Sequence, residues 1–217
     1  MIVVDDGSTD DTRAVMKDIA AERWAKKRLL WITLGRHAGL AYALNEGIRH
    51  SRYGCPPLIA RLDADDQMAP TRLEEQVRYL SEHPEVGLLG TAAVITDADG
   101  LALDWEYPPT DDASICASLP RRNPMFHSSW MFRREVYDRI GGYDPSFEVA
   151  QDYDFLVRAA EVTKLANLPD ALTIRRQHPE QVSARRAKAR RLAEARIRWR
   201  QGNVLGAVRA RVAAVLG

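Results

Sequence analysis

Five aspartates stand where two short apolar runs stop: Asp5 and Asp6 after "MIVV", and Asp63, Asp65 and Asp66 after "PPLIARL". Like charges gathered at one edge are costly unless a cation compensates them. Hard carboxylate oxygens suit Mg²⁺ or Mn²⁺, above all an ion shared with phosphates. Asp63 and Asp65 lie two residues apart, so an extended chain points both the same way. A metal-assisted phosphate site is the chemistry this pattern suits. Two other readings compete with it. Aspartates also cap helices, and Asp10 and Asp11, just before "TRAVMKDIA", fit that role. A calcium loop would use Asp63, Asp65, Gln67 and Glu74, but Met68 stands where the sharp turn requires glycine and Pro70 starts a helix.

The elements that must position these acids alternate in period. Ile2 to Val4, Leu29 to Leu34 and Pro57 to Leu62 read as strands. Thr9 to Lys26, Gly39 to His50 and Pro70 to Ser81 read as helices, the first capped by Ser8 or Thr9. Such alternation predicts a parallel sheet covered on both faces, and ligands of open α/β sheets sit at the carboxyl ends of the strands, where both acidic groups fall. After Val86 the regularity loosens. Two or three antiparallel strands are expected in "VGLLGTAAVITDADGLALDWEY", with a turn at Asp97 to Gly100. Then follow a helix near Asp111 to Leu119, a strand Phe126 to Phe132, and helices Arg133 to Ile140 and Gln151 to Glu161. A charged helical tail runs from Ala184 to Val215, interrupted near Gly202.

With 217 residues, 46% hydrophobic and 28% charged, the composition is that of a globular chain and excludes a disordered or fibrous one. The net charge of +1 hides an asymmetry: from Ala184 onward ten Lys and Arg face Glu194 alone, so an acidic body carries a basic tail. That tail suits an anionic surface such as a membrane, or a solvated helix. Nothing in the acidic body suggests nucleic acid as a partner. Cys55 and Cys116 have no disulfide or metal spacing and read as packing residues of a reducing, cytoplasmic compartment. The start lacks the features of a signal peptide, and no apolar run approaches the about 18 residues of a membrane span.

Taken together, "VVDDGSTD", "RHAGLAYALNEGI", "ARLDADD", "NPMFHSSWMFRREVYDRIGGYD", "AQDYDFLVRAAE" and "RRQHPEQVS" resemble, in order and spacing, family 2 glycosyltransferases of GT-A fold. The resemblance spans residues 1–183, taken as the catalytic domain, with 184–217 as a basic helical tail. It implies an α/β, Rossmann-like, mostly parallel sheet with helices on both faces. It also implies transfer of a sugar, with inversion, from a nucleotide diphosphate donor to an acceptor hydroxyl of a glycan or lipid-linked substrate in cell-surface polysaccharide or glycolipid synthesis. A divalent metal, Mn²⁺ or Mg²⁺, would be held by Asp65, with Asp63 on the ribose or the metal. His178 would approach the metal or diphosphate, or lie as a plain surface histidine. Asp152 falls on the general base. Asp5 and Asp6 would reach the nucleobase and ribose, favouring uridine without excluding guanine or thymine. Arg36 would lie near the nucleotide, or pair with the acids across the crevice.

Asp154, two residues beyond Asp152, reads as a structural helix acid. His127, Trp130, Phe132 and Tyr143 read as packing residues, with His127 and Tyr143 open to acceptor-side contact. Family members carry a strand and a helix before the segment matched by "VVDDGS", so the resemblance also implies an N-terminally truncated fold, from a misplaced start or a fragment. The missing strand would leave a gap or an unpaired edge beside "IVVDD". Two rival readings accompany the transferase: a metal-dependent nucleotidyltransferase, which would not need the distant "AQDYD" base, and a non-catalytic remnant that binds nucleotide sugar. Peripheral attachment to the inner face of the cell membrane through the tail completes the expectations.

Overall fold

The computed structural model describes residues 1–51, 57–178 and 186–200. Its elements are β1 (Ile2–Asp5), α1 (Thr12–Ala21), a 3₁₀ turn (Ala25–Lys27), β2 (Leu30–Thr33), α2 (Leu40–His50), β3 (Leu58–Ala60), β4 (Gln67–Met68), α3 (Arg72–Glu82), β5 (Val86–Thr96) and β6 (Ala102–Glu106). There follow α4 (Asp112–Ser118), a 3₁₀ turn (His127–Ser129), β7 (Met131–Arg133), α5 (Arg134–Ile140), α6 (Gln151–Val162), β8 (Lys164–Arg176) and α7 (Ala187–Arg200). Cys55 and the tail beyond Arg200 lie outside the described residues.

The larger sheet runs β3-β7-β5-β8-β4, with β6 on the far half of β5. Alternation along its central strands shows why both faces are covered. Leu88, Phe132 and Leu165 belong to a core of Trp130, Tyr153, Phe155 and Leu156, into which α2, α4, α5 and α6 pack. Their neighbours Leu89, Met131 and Ala166 enter a second core with Leu80 of α3 on the opposite face. Successive side chains of a strand point to opposite faces, so a strand buried on both sides reads as a continuous apolar run, as "VGLLGTAAVIT" does.

The α/β class holds, while the strand directions are more mixed than the alternation of elements predicted. β1 and β2 form a separate parallel pair, and β5 pairs β8 in parallel; β3·β7, β5·β7, β5·β6 and β4·β8 are antiparallel. β3 therefore does not pair with β1, and among the described residues each has a single hydrogen-bonded neighbour. The expected strand Phe126–Phe132 also divides. Its first half is the 3₁₀ turn His127–Ser129, where the Ser129 amide and hydroxyl both bond the Phe126 carbonyl at 3.0 and 2.7 Å. Local serine hydrogen bonds thus displace the ladder there.

Two adjacent arginines tie the layers together at helix ends that would otherwise leave carbonyls orphaned. Arg133 donates to Leu80 and Val86, and Arg134 to Ile48 and Ser51. Helix α7 packs on the body through Ile197, which is 1% exposed, and through Arg198 to the Arg121 carbonyl. None of the described helices is long and apolar enough to cross a membrane.

Candidate active site

Asp63, Asp65 and Asp66 offer ligand oxygens that all lie within 4.8 Å of one another. They converge through a tight turn, in which the Asp66 amide bonds the Asp63 carbonyl at 3.2 Å, rather than by the extended-chain alternation expected from their spacing. The turn follows β3. The end of β8 closes it from the side: the Arg176 amide donates to Asp66 Oδ1 at 3.0 Å, and His178 Nε2 stands 3.3 Å from Asp65 Oδ2. Histidine and aspartate are 113 positions apart in sequence, and only the pairing of β4 with β8 brings them together.

The three carboxylates are not equivalent. Asp63 accepts from both terminal nitrogens of Arg61 and, at 2.7 Å, from the Ser128 hydroxyl, which in turn accepts the Asp63 amide at 3.1 Å. Burial pushes Asp63 up, but the Arg61 charge and hydrogen bonds outweigh it and hold the carboxyl at about 2. Asp66 is pushed up, by burial first and then by the charges of Asp63 and Asp65. Asp65 is exposed, with His178 beside it. A hard divalent cation fits this set: Asp65 and Asp66 have oxygen lone pairs to give, and a cation would relieve the repulsion that raises Asp66. Asp63 is already saturated by Arg61 and Ser128.

Asp152 lies at the start of α6. Ala150, just before it, takes the left-handed conformation (φ 61°, ψ 21°) and is the one non-glycine residue with positive φ among the described residues. Such a backbone costs of order 1 kcal/mol, and it turns the chain so that the helix begins with Gln151 and Asp152. The Asn123 side-chain amide donates to Asp152 Oδ2 at 2.8 Å. Burial pushes Asp152 above the ordinary carboxylate range, while the Tyr153 amide, the Arg61 charge and Asn123 pull it back. Arg61 therefore acts on both the acidic cluster and Asp152. Asp154 points elsewhere: it is 7% exposed and bonded by Arg158, the structural role expected for it. His127 packs edge-on to Trp130 and bonds the Tyr143 hydroxyl at 2.9 Å; burial, then the charge of Arg61, keeps it well below its usual value.

At the ends of β1 and β2 the two acids diverge. Asp5 is 5% exposed; one oxygen accepts the Ser8 amide at 2.8 Å and the other is buried without a partner. The Ser8 amide holds this carboxyl below its usual value against the opposing effect of burial. Both oxygens of Asp6 are engaged, accepting the amides of Ala38 and Gly39 at 2.7 and 2.9 Å with His37 Nδ1 at 2.8 Å. Asp6 thus fixes the loop before α2. Gly7 (φ 82°) lets that loop approach, since a Cβ there would lie 2.7 Å from the Arg36 carbonyl carbon. The same loop lines a surface cavity of about 380 Å³ with Leu34, Arg36, His37, Ala38 and Tyr42. No hydrogen bond or ion pair among the described residues links Arg36, Asp5 or Asp6 to the Asp63 cluster.

Arg61, Ser128 and Asn123 were not assigned from the sequence. Arg61 carried a readable signal, a basic residue two positions before Asp63; Ser128 and Asn123 carried none. Of the caps expected at the first helix, Asp10 accepts the Thr12 amide at 3.1 Å, but α1 starts at Thr12, so that Asp11 rather than Ser8 or Thr9 stands at its N-cap, and the Asp11 side chain makes no cap hydrogen bond.

Comparison with known proteins follows the same lines. The family described as Glycosyl transferase family 2 matches residues 1–141. The amylovoran biosynthesis glycosyltransferase AmsE of Erwinia amylovora is 30% identical over 188 residues, covering 86% of this chain and 67% of that protein. The putative glycosyltransferase EpsE of Bacillus subtilis is 31% identical over 143 residues, covering 66% and 49%. Among solved structures, S. aureus TarS 1-349 in complex with UDP superposes with a TM-score of 0.61 at 18% identity, over 82% of this chain and 51% of that one. Mannosyltransferase PcManGT from Pyrobaculum calidifontis, in complex with GDP-Man and Mn²⁺, gives 0.63 at 20% identity over 97% and 59%. These likenesses show a shared GT-A fold, and the chain spans about half to two thirds of the length of these proteins. The motifs, the fold and the family match agree, and the chain belongs to glycosyl transferase family 2.

Proposed function

We propose that this chain transfers a sugar, with inversion, from a nucleoside diphosphate sugar to a hydroxyl of a glycan or lipid-linked acceptor, in surface polysaccharide or glycolipid synthesis. The observation that carries the reading is the presence of two unlike acidic centres: the Asp63–Asp65–Asp66 cluster, gripped by Arg61 at Asp63, and the half-buried, Asn123-bonded Asp152. A nucleotidyltransferase has no use for the second centre. The names of similar proteins point the same way: amylovoran biosynthesis for AmsE, a complex with UDP for TarS, and a complex with GDP-Man and Mn²⁺ for PcManGT.

Asp65 and Asp66 would hold a Mn²⁺ or Mg²⁺ ion, with His178 beside Asp65 and with Asp63, held by Arg61 and Ser128, orienting the cluster. Such an ion supplies Lewis-acid stabilisation to the departing diphosphate, worth several kcal/mol. The remaining work belongs to side chains. Asn123 occupies one oxygen of Asp152, leaving the other to take the proton of the acceptor hydroxyl. Burial raises the proton affinity of Asp152 towards the working pH, which improves a general base; such a base contributes about 10² to 10⁴ in rate. Asp5 presents one buried, unpartnered oxygen. Uracil N3–H is a donor that a carboxylate accepts well, the ground on which the family resemblance favours uridine. A uridine donor is therefore our first choice. Arg36, on the cavity beside α2, would meet the nucleotide.

The basic helix α7 would attach the enzyme peripherally to the cytoplasmic membrane face. Its outward side exposes Lys188, Arg191, Leu192 and Trp199, the last at 84%. The function is tested by incubating the chain with UDP- and GDP-sugars, with and without Mn²⁺, and measuring release of nucleoside diphosphate. Metal-dependent release from one donor is expected; no release from any donor, together with no nucleotide binding, would reject the reading.

A further inference from the structure

Arg72, on the first turn of α3, has its side chain fully buried, and no carboxylate among the described residues pairs with it. Burying a lone guanidinium is costly, and burial, with the charge of Arg61 adding to it, lowers its proton affinity to about 10. What it receives in return is two carbonyls. One nitrogen donates to the Ser128 carbonyl at 2.8 Å and another to the Arg61 carbonyl at 2.5 Å. Ser128 and Arg61 are the two residues whose side chains grip Asp63. A single guanidinium therefore fixes the backbone of both.

One turn later on the same helix face, Gln76 holds the next carbonyl, that of Ser129, at 2.8 Å and that of Leu89 at 3.2 Å. A neutral amide thus already fastens α3 to the sheet. The charged fork at position 72 acts one residue nearer the acidic cluster, where two segments from different parts of the chain, β3 and the 3₁₀ turn, have to meet at one carboxylate. Arginine suits this because its nitrogens diverge in a fixed plane and reach two acceptors at once, which a lysine ammonium on a flexible stem does not reproduce.

We propose that Arg72 is a positioning residue for the donor site: by holding the carbonyls of Arg61 and Ser128, it sets the side chains that orient Asp63, and through them the carboxylate cluster. The inference rests on the proposed reading that this cluster serves a nucleoside diphosphate and a divalent ion.

Isothermal titration of the whole chain with UDP and with GDP, in the presence of Mn²⁺ and below the melting temperature of every variant, tests it. Arg72→Lys is expected to weaken Mn²⁺-dependent nucleotide binding by about 10- to 100-fold, the usual cost of losing a group that supports a ligand from behind. Leu80→Ala serves as the structural control: it lies on the same helix, 1% exposed, and should lower the melting temperature while leaving binding close to that of the unmodified chain. Equal binding by Arg72→Lys and Leu80→Ala would overturn the proposal. Should Arg72→Lys fail to fold, Ser128→Ala, which cuts the hydroxyl link and leaves Arg72 in place, decides alone: about 10-fold weaker binding supports the relay and unchanged binding refutes it. Absence of nucleotide binding in the unmodified chain is a different result, which rejects the proposed function and removes the basis of this inference with it.

Discussion

Arg61 meets the carboxylate of Asp63 with both terminal nitrogens of its guanidinium, from two residues earlier on the same chain. The arginine is buried and the aspartate is 36% exposed, so the pair lies at the boundary between the core and the site. Its effect on stability follows from proton binding. The folded carboxyl sits at about 2, against about 3.9 for a free aspartate, so the folded state binds fewer protons. The contribution is complete above about pH 4 to 5 and fades as pH falls towards 2. Partial exposure reduces it to about 1 kcal/mol. The destabilisation caused by Asp63→Asn should therefore shrink by about half of that amount between pH 7 and pH 3 in urea titrations, and a pH-independent penalty would contradict the assignment.

Asp65 is the exposed, lightly held member of the cluster. Asp65→Ala should remove Mn²⁺-dependent binding of a nucleoside diphosphate while changing the melting temperature little, because surface substitutions away from packed features stay within about 0.5 kcal/mol. Binding that persists unchanged would exclude Asp65 as a cation ligand.

Asp152→Asn should separate chemistry from binding. Transfer is expected to fall by about 10² to 10⁴ with donor affinity nearly intact. A variant that glycosylates at the unmodified rate would rule out Asp152 as the base.

The Asn123 hydrogen bond favours the charged form of Asp152, opposing the burial that raises it. Removing it with Asn123→Ala should raise the proton affinity of Asp152 further. In the proposed mechanism activity requires the deprotonated base, so the acidic limb of the kcat–pH profile should move to higher pH. A limb that stays in place, or moves down, would show that Asn123 does not act on the base.

Helix α7 has two different apolar sides. Ile197→Ala, on the side packed against the body, should cost about 2 kcal/mol in denaturant unfolding. Leu192→Ser combined with Trp199→Ser, on the outward side, should leave stability within about 0.5 kcal/mol yet reduce co-sedimentation with anionic vesicles. Equal binding to neutral and anionic vesicles would reject the membrane attachment.

Much of the fold was legible because burial imposes a period. β1, β2, α2, α5 and α6 lie within a few residues of their expected bounds, since apolar spacing and flanking turn residues mark them locally. β8 was not delimited, although it is the longest strand, because "KLANLPDALTIRR" mixes charges, a proline and apolar residues without a clean alternation. Its identity as a strand depends on the long parallel ladder with β5. The 3₁₀ turn at His127–Ser129 was likewise hidden: "FHSSWMF" has strand-like composition, and the serines leave the ladder only because Phe126, Asp63 and α3 offer them other partners.

The sequence by itself marked Asp63, Asp65 and Asp66 as candidates by type, strand-end position and spacing, and Asp152 through the resemblance to family 2 glycosyltransferases. It also determined that Asp154 has a structural task, being two positions round the helix from Asp152. What only the tertiary structure decided is how these equal carboxylates become unequal. Asp63 is claimed by Arg61 and Ser128, Asp65 is left exposed beside His178, Asp152 is half-buried and bonded by Asn123, and Asp6 is committed to a loop while one oxygen of Asp5 has no partner. The reason is that a carboxylate's chemistry depends on desolvation and on charges within a few ångströms, and those neighbours come from positions that share no local pattern.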